Sequence, residues 1–84
     1  MKHIRLSKHA EEQIFFRGSN EAEVILAIET TQWKPLKSGR AECRKDFVFE
    51  KEWNKVYYKI KQVRPIFIEE ENEIVVITVY TYFF

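Results

Sequence analysis

Residues that cross-link a polypeptide or interrupt its helices and strands are scarce in this sequence. Its 84 residues include one cysteine, two glycines and two prolines. The single cysteine, Cys43, excludes an internal disulfide and a cysteine-based metal site. Because so little glycine and proline is available for a linker, residues 1–84 are expected to form one domain. His3 and His9 are not spaced as ligands on one helix and no glycine-rich phosphate loop is present, so no metal or other cofactor is expected.

Long apolar runs are also absent. The longest, residues 74–84, is interrupted by two threonines and is shorter than the roughly 20 residues of a membrane helix. The first residues do not lead into an apolar run of signal-peptide length. A lone thiol fits a reducing compartment better than secretion. These features predict a cytoplasmic protein with no membrane partner.

What the chain does contain is an ordinary globular balance with an uneven distribution of charge. Hydrophobic residues make up 45% and charged residues 32%, and 14 cations nearly balance 13 acids. Residues 34–64, however, carry 10 cations and 4 acids, whereas residues 65–84 carry 4 acids and no cation. The net +6 of the middle third favours an anionic partner.

Two helices are predicted at the start of the chain. Ser7 is a suitable N-cap for a helix from Lys8 to about Arg17. Gly18 follows, where a left-handed C-cap favours glycine. Asn20 then opens a second helix, with Glu23 at capping-box spacing. The sequence therefore predicts a helical hairpin.

The chain outside these two helices is predicted to form strands. Alternating apolar residues predict strands over residues 42–50, 55–63 and 74–82, with Pro65 opening a short strand over 66–69. A short first strand fits residues 3–6. A sheet of this size must bury one face. The predicted fold class is α+β, with the helical hairpin packed on one face of a roughly four-stranded antiparallel sheet.

The alternation also predicts which side chains point away from the helices. Val56, Tyr58 and Ile60, with Val75, Ile77 and Val79, are expected to face the helices. The opposite face is expected to carry Tyr57, Lys59, Lys61, Thr78, Tyr80, Tyr82 and Arg44, with Arg64 near its rim. Cations mixed with aromatic rings are typical of RNA-binding surfaces, but lysine and tyrosine are also common on an ordinary solvated sheet face.

One helix stripe carries further candidates. His9, Gln13 and Arg17 are spaced at i, i+4 and i+8 and are expected at the seam between helix and sheet. There His9 could act as an acid or a base or simply hydrogen-bond and pack. Arg17 could instead cap the carbonyls at its own helix end.

The opening Leu6-Ser7-Lys8-His9-Ala10, the Arg17-Gly18 pair and the closing Ile74-Val75-Val76-Ile77-Thr78-Val79-Tyr80 resemble a family of small prokaryotic domains of unknown function. That family is grouped with the RelE/ParE-like toxins, near the BrnT-like branch. Many of its members have an arginine where this chain has Gln13. The resemblance implies a helical hairpin on a curved antiparallel sheet.

The resemblance further implies a toxin of a type II toxin–antitoxin pair, often a metal-independent endoribonuclease that acts on mRNA at the ribosome. A cognate antitoxin and mRNA or the ribosome would be its partners; the oligomeric state stays open. On this hypothesis the catalytic candidates are His9, Arg17, Lys59 and Tyr80, and the RNA-binding candidates are Arg44, Tyr57, Lys61 and Arg64. The alternative is a non-catalytic interaction module, either a gyrase-directed toxin similar to ParE or a protein-binding domain.

Overall fold

The computed structural model describes residues 1–84 as two helices and six strands in one mixed sheet. In chain order the elements are β1 (His3–Leu6), α1 (Lys8–Arg17), α2 (Glu21–Thr30), β2 (Lys34–Pro35), β3 (Arg40–Glu42), β4 (Lys45–Trp53), β5 (Val56–Glu69) and β6 (Glu73–Phe83), with a 3-10 turn at Lys37–Gly39. The strand order is β1-β6-β5-β3-β2, and β4 also pairs with β5.

The α+β class is confirmed, but the prediction of about four antiparallel strands is wrong. The sheet has six strands, and β1 runs parallel to β6. These two strands come from opposite ends of the chain, so no hairpin turn obliges them to be antiparallel. Neither helix is long and apolar enough to cross a membrane.

Both helices begin at their predicted N-caps, and α1 ends at its predicted C-cap. The Ser7 hydroxyl accepts from the backbone N–H of Ala10 at 3.1 Å. The Asn20 side chain accepts from the backbone N–H of Glu23 at 2.8 Å. Gly18 ends α1 with a φ of 73°. Each of these caps satisfies a polar group within a few residues of itself.

A single proline explains why β3 and β4 are separate elements. Their pairing with β5 keeps one register, with Glu42 opposite Ile66 and Lys45 opposite Val63. Between them, the Cys43 N–H donates to the Pro65 carbonyl at 3.4 Å. Proline has no N–H to return that bond, so the ladder is interrupted there. Pro65 therefore lies inside the long β5, not at the start of a short strand as predicted.

An extra residue in β6 changes which side chains reach the core. Ile66 pairs with Thr78 and Phe67 with Val76, which leaves Ile77 as a bulge. Before the bulge, Ile74 and Val76 are buried; after it, Val79 is buried. The prediction for Val79 is confirmed, whereas the placement of Val75 under the helices is wrong because the bulge reverses the alternation.

A second irregularity affects β5. The N–H groups of Lys59 and Ile60 both donate to the Phe84 carbonyl, at 2.8 and 3.1 Å, which is the hydrogen-bond pattern of a bulge. Beyond it, Lys61 and Val63 lie on the helix-covered face. The predicted placement of Ile60 under the helices and of Lys61 on the open face is therefore wrong.

The core lies between the two helices and the covered face of the sheet. Cys43 is buried there as a small hydrophobic residue, and burial raises the pKa of its thiol. The core consists of Ile4, Leu6, Ala10, Val24, Ala27, Ile28, Cys43, Val63, Phe67, Ile74, Val76 and Val79. The opposite face of β3–β6, called the open face below, has no helix over it.

Candidate functional site

The open face carries a cluster of arginines and tyrosines across β5 and β6. Arg64 lies directly opposite Tyr80, and Gln62 lies opposite Tyr82. Side chains of directly opposed residues point to the same face of a sheet. The pairing of β5 with β6 therefore brings together groups that are 16 to 20 residues apart in the chain.

Tyr80 lies against two guanidinium groups. The Arg17 Cζ is 4.8 Å from the centre of the Tyr80 ring, and the Arg64 Cζ is 5.3 Å from it. Arg17 arrives from the end of α1, where its Nη1 also donates to the Val79 carbonyl at 2.9 Å. Each cation–ring contact contributes about 0.5–1 kcal/mol at a partly exposed site. The cluster thus joins a helix residue to the sheet, as the seam prediction for Arg17 expected.

Arg64 is held by a buried acid. Its Nε is hydrogen-bonded and ion-paired to the carboxylate of Glu42, which is only 5% exposed. Its Nη1 donates to the Tyr82 hydroxyl at 3.3 Å. Burial alone would lower the pKa of Arg64, but the hydrogen bonds to Tyr82 and Glu42 outweigh it and raise the pKa. Nη2 has no protein acceptor, so this side of the guanidinium can bind an anion.

A second chain of polar contacts extends the open face toward β4. Gln62 donates to the Asp46 carboxylate at 2.9 Å and accepts from Arg44 Nη1 at 3.5 Å. Arg44 is exposed. Its predicted place on the open face is confirmed, because it has the opposite parity from the buried Cys43.

The edge of β6 is covered by side chains of α1. β1 pairs with β6 only as far as Val76. Beyond that point, Gln13 accepts from the Val79 N–H at 3.2 Å and from the Thr78 hydroxyl, while Arg17 occupies the Val79 carbonyl. Gln13 and Arg17 therefore satisfy backbone groups that a neighbouring strand would otherwise pair.

Two of the four catalytic candidates lie outside this cluster. His9 is exposed and makes none of the contacts with β6 that Gln13 and Arg17 make. Side chains four residues apart differ by about 40° in direction around the helix axis. His9 therefore points away from β6 when Gln13 and Arg17 reach it, and its predicted place at the seam is wrong. Lys59 is exposed on the β4–β5 hairpin. It lies outside the paired part of β5 and β6, whose last pair is Lys61 with Phe83. Tyr57, an RNA-binding candidate, lies on the same hairpin and is exposed.

Lys61 also belongs to a different environment from the one predicted. It is 8% exposed. Its Nζ donates to the Gly18 carbonyl at 2.9 Å and forms an ion pair with Glu23 at 2.8 Å. It also lies 5.5 Å from the centre of the Phe49 ring. Lys61 joins the helical hairpin to the sheet and is not available to RNA.

The sequence analysis placed Tyr82 on the open face without naming it as a site residue, and it did not identify Glu42. Glu42 and Arg44 are two residues apart on the strand predicted over residues 42–50, so the sequence could have predicted that Glu42 shares the open face with Arg44. Its pairing with Arg64 depends on a strand register that the sequence does not specify.

No group of three or more histidine, cysteine, aspartate or glutamate side chains is arranged to hold a metal ion. No family model, curated protein or solved structure matches the chain. The resemblance to the RelE/ParE-like toxins therefore remains a prediction from the residues quoted for it.

Proposed function

We propose that the open face is the RNA site of a metal-independent endoribonuclease, the toxin of a type II toxin–antitoxin pair that acts on mRNA in the cytoplasm. The observation that carries this proposal is the placing of the Arg17 and Arg64 guanidiniums against the Tyr80 ring. Guanidiniums bind phosphate, and an adjacent phenol is a group that can donate a proton. The predicted catalytic set is thereby revised to Arg17, Arg64 and Tyr80.

The chemistry uses the substrate's own nucleophile. The ribose 2′-oxygen attacks the adjacent phosphorus as its proton passes to water, and the bond from phosphorus to the 5′-oxygen breaks. Tyr80 donates a proton to the leaving 5′-oxygen, and its phenolate regains one from solvent. Arg17 and Arg64 stabilise the charge that develops on the phosphorane. The products are a 2′,3′-cyclic phosphate and a 5′-hydroxyl end.

Binding without cleavage is the second candidate. It covers a gyrase-directed toxin and a protein-binding module, and it is favoured by the exposed positions of His9 and Lys59 outside the arginine–tyrosine cluster. On this reading, the cluster recognises an anionic surface and performs no proton transfer.

Cleavage in the presence of EDTA separates the two candidates. Purified protein is incubated with mRNA, with and without ribosomes, and the ends of the RNA are analysed. We expect cleavage with 2′,3′-cyclic phosphate ends that Tyr80→Phe abolishes, because the phenol is lost while the ring remains between the arginines. Lys37→Ala, which removes an exposed cation on the 3-10 turn, is the control and leaves cleavage unchanged. Growth arrest without RNA cleavage would support the non-catalytic candidate.

The salt dependence of RNA binding tests the revised surface. Three phosphate contacts, by Arg17, Arg44 and Arg64, give a slope of log affinity against log salt of about −2 on single-stranded RNA. Arg44→Gln should flatten this slope by about 0.7, whereas a folded Lys61→Met protein should keep it. Loss of the slope in Lys61→Met alone would place RNA on the other face of the sheet.

A further inference from the structure

The outer surface of α1 exposes two adjacent phenylalanines. Phe15 is 80% exposed and Phe16 is 75% exposed, and their rings meet edge to face at 5.3 Å between centroids. The opposite side of the same helix buries Ala10 completely. The two rings therefore do not contribute to the core, and neither takes part in the open face.

These rings line a shallow groove together with charged side chains. Lys8, Glu11, Glu12, Phe15 and Phe16 surround a volume of about 360 Å³. Single exposed apolar side chains are common, but two large aromatic rings in contact form a patch of the kind found at interaction sites. The groove lies on the outer surface of α1 and does not include any residue of the open face.

The charge of the helical layer restricts what can bind there. Its exposed charged residues are one lysine against four glutamates, net −3: Lys8, Glu11, Glu12, Glu21 and Glu29. Arg17 and Glu23 are turned toward the sheet and do not alter this balance at the surface. An acidic surface repels nucleic acid and attracts a basic protein segment.

A second copy of the chain fits this surface poorly. In a two-fold pairing, the same patch meets itself. The exposed charges around the phenylalanines are mainly acidic, so a two-fold pair would bring two acidic surfaces together. Like charges brought together in this way oppose association.

We propose that the Phe15–Phe16 surface docks an amphipathic helix of another protein, with apolar side chains over the two rings and lysines or arginines beside Glu11 and Glu12. The arrangement follows the helix-in-groove mode of recognition, in which apolar anchors supply affinity and flanking charges select the partner. This proposal stands independently of RNA binding by the open face.

The test uses a fluorescein-labelled peptide of about 18 residues with leucine on one helical face and lysine on the other. Binding to the full chain is followed by fluorescence anisotropy. A peptide of the same pattern with glutamate in place of lysine is the matched control. We expect the lysine peptide to bind at least about tenfold more tightly, and the Phe15→Ser/Phe16→Ser variant to lose at least about tenfold of that affinity. Val48→Ser, which alters a residue that is 77% exposed on the hairpin, should bind the peptide as the unaltered chain does.

Three results would overturn the proposal. The lysine peptide could fail to bind, or bind no better than the glutamate peptide. Binding could depend on Glu11→Gln/Glu12→Gln but not on the phenylalanines, which would show a diffuse charge effect without docking. Sedimentation could show a dimer that the phenylalanine variant dissociates, which would make a second copy the occupant.

Discussion

Lys61 and Arg64 lie three residues apart on β5, and each is paired with a glutamate from a distant part of the chain. Lys61 meets Glu23 and the Gly18 carbonyl beneath the helical hairpin. Arg64 meets Glu42 on the open face, beside the Tyr80 ring. The first cation is enclosed by its partners, whereas the second keeps one nitrogen without a protein acceptor. Two cations that look alike in the sequence therefore have different environments, because an odd spacing along a strand places them on opposite faces.

The difference shows that an ion-paired cation can bind a further anion only when one of its nitrogens stays free of protein acceptors. Lys61 donates to two groups that close the end of α1 against the sheet, which accounts for a structural contribution. Arg64 is oriented by Glu42 and Tyr82 while it remains open to an anion.

Replacing Lys61 should destabilise the protein most. Lys61→Ala leaves Glu23 half-buried without its cation and the Gly18 carbonyl without a donor, which costs about 3 kcal/mol of unfolding free energy. Urea denaturation measures this loss. Lys59→Ala, on the exposed hairpin, is the matched control and should change stability by less than about 0.5 kcal/mol. Equal denaturation midpoints for the two variants would contradict a structural role for Lys61.

Gly18 tests the same junction from the helix side. A Cβ at this position would lie 3.0 Å from two atoms of the Trp53 ring and 3.2 Å from Phe83, and φ is already 73°. Gly39 has nearly the same φ, 72°, with nothing within 4 Å. We expect Gly39→Ala to cost about 1 kcal/mol from backbone strain and Gly18→Ala about 2–3 kcal/mol. The difference between the melting temperatures of the two variants measures the contribution of the helical hairpin packing on the sheet. Identical decreases in melting temperature would indicate that the Trp53 and Phe83 rings move aside without cost.

Glu42 tests whether Arg64 is positioned or merely neutralised. Glu42→Gln keeps an acceptor for the Arg64 Nε, whereas Glu42→Ala removes it and costs about 2 kcal/mol of stability. If Glu42 positions Arg64, RNA affinity should be several-fold lower in the alanine variant than in the glutamine variant. If Glu42 only offsets charge, both variants should bind RNA more tightly than the unaltered chain and by a similar factor. Filter binding at fixed salt distinguishes these outcomes.

The smallest effect is expected at the surface pair of Arg5 and Glu73. The hydrogen bond from Arg5, at 3.0 Å, is the main cause that lowers the pKa of Glu73. A carboxylate with a lowered folded-state pKa stabilises the protein above its unfolded pKa of about 4.3, and this contribution is lost as the pH falls through the folded value. The denaturation midpoint of Glu73→Gln should therefore lie slightly below that of the unaltered chain at pH 7 and converge with it in acid. A gap that widens in acid would contradict this sign.

Local signals predicted the helices well. Ser7, Asn20 and Gly18 each act within three or four residues, and all three caps are present. The strands were predicted less well. Pro65 lies inside β5 and not at the start of a strand, and the sequence does not specify which strands pair with each other. The parallel pairing of β1 with β6 joins residues about 70 apart, which no local pattern encodes.

The candidate site was predicted in part for the same reason. The positions of Arg44, Tyr80 and Arg17 depend on parity and helical spacing, and these were readable. The positions of Lys61 and His9 could not be predicted in this way. The bulge at Lys59–Ile60 reverses the alternation of β5, and the offset of about 40° between side chains four residues apart turns His9 away from β6.

The sequence by itself determined the α+β class, the two capped helices and the basic middle third, since each rests on composition or on contacts between near neighbours. Only the tertiary structure decided that Lys61 is enclosed and that Arg17, Arg64 and Tyr80 meet. Those outcomes depend on strand register and on the bulges at Ile77 and at Lys59–Ile60. A shift of one residue in register exchanges the two faces of a strand, and the free energy that selects the register comes from packing across the whole sheet.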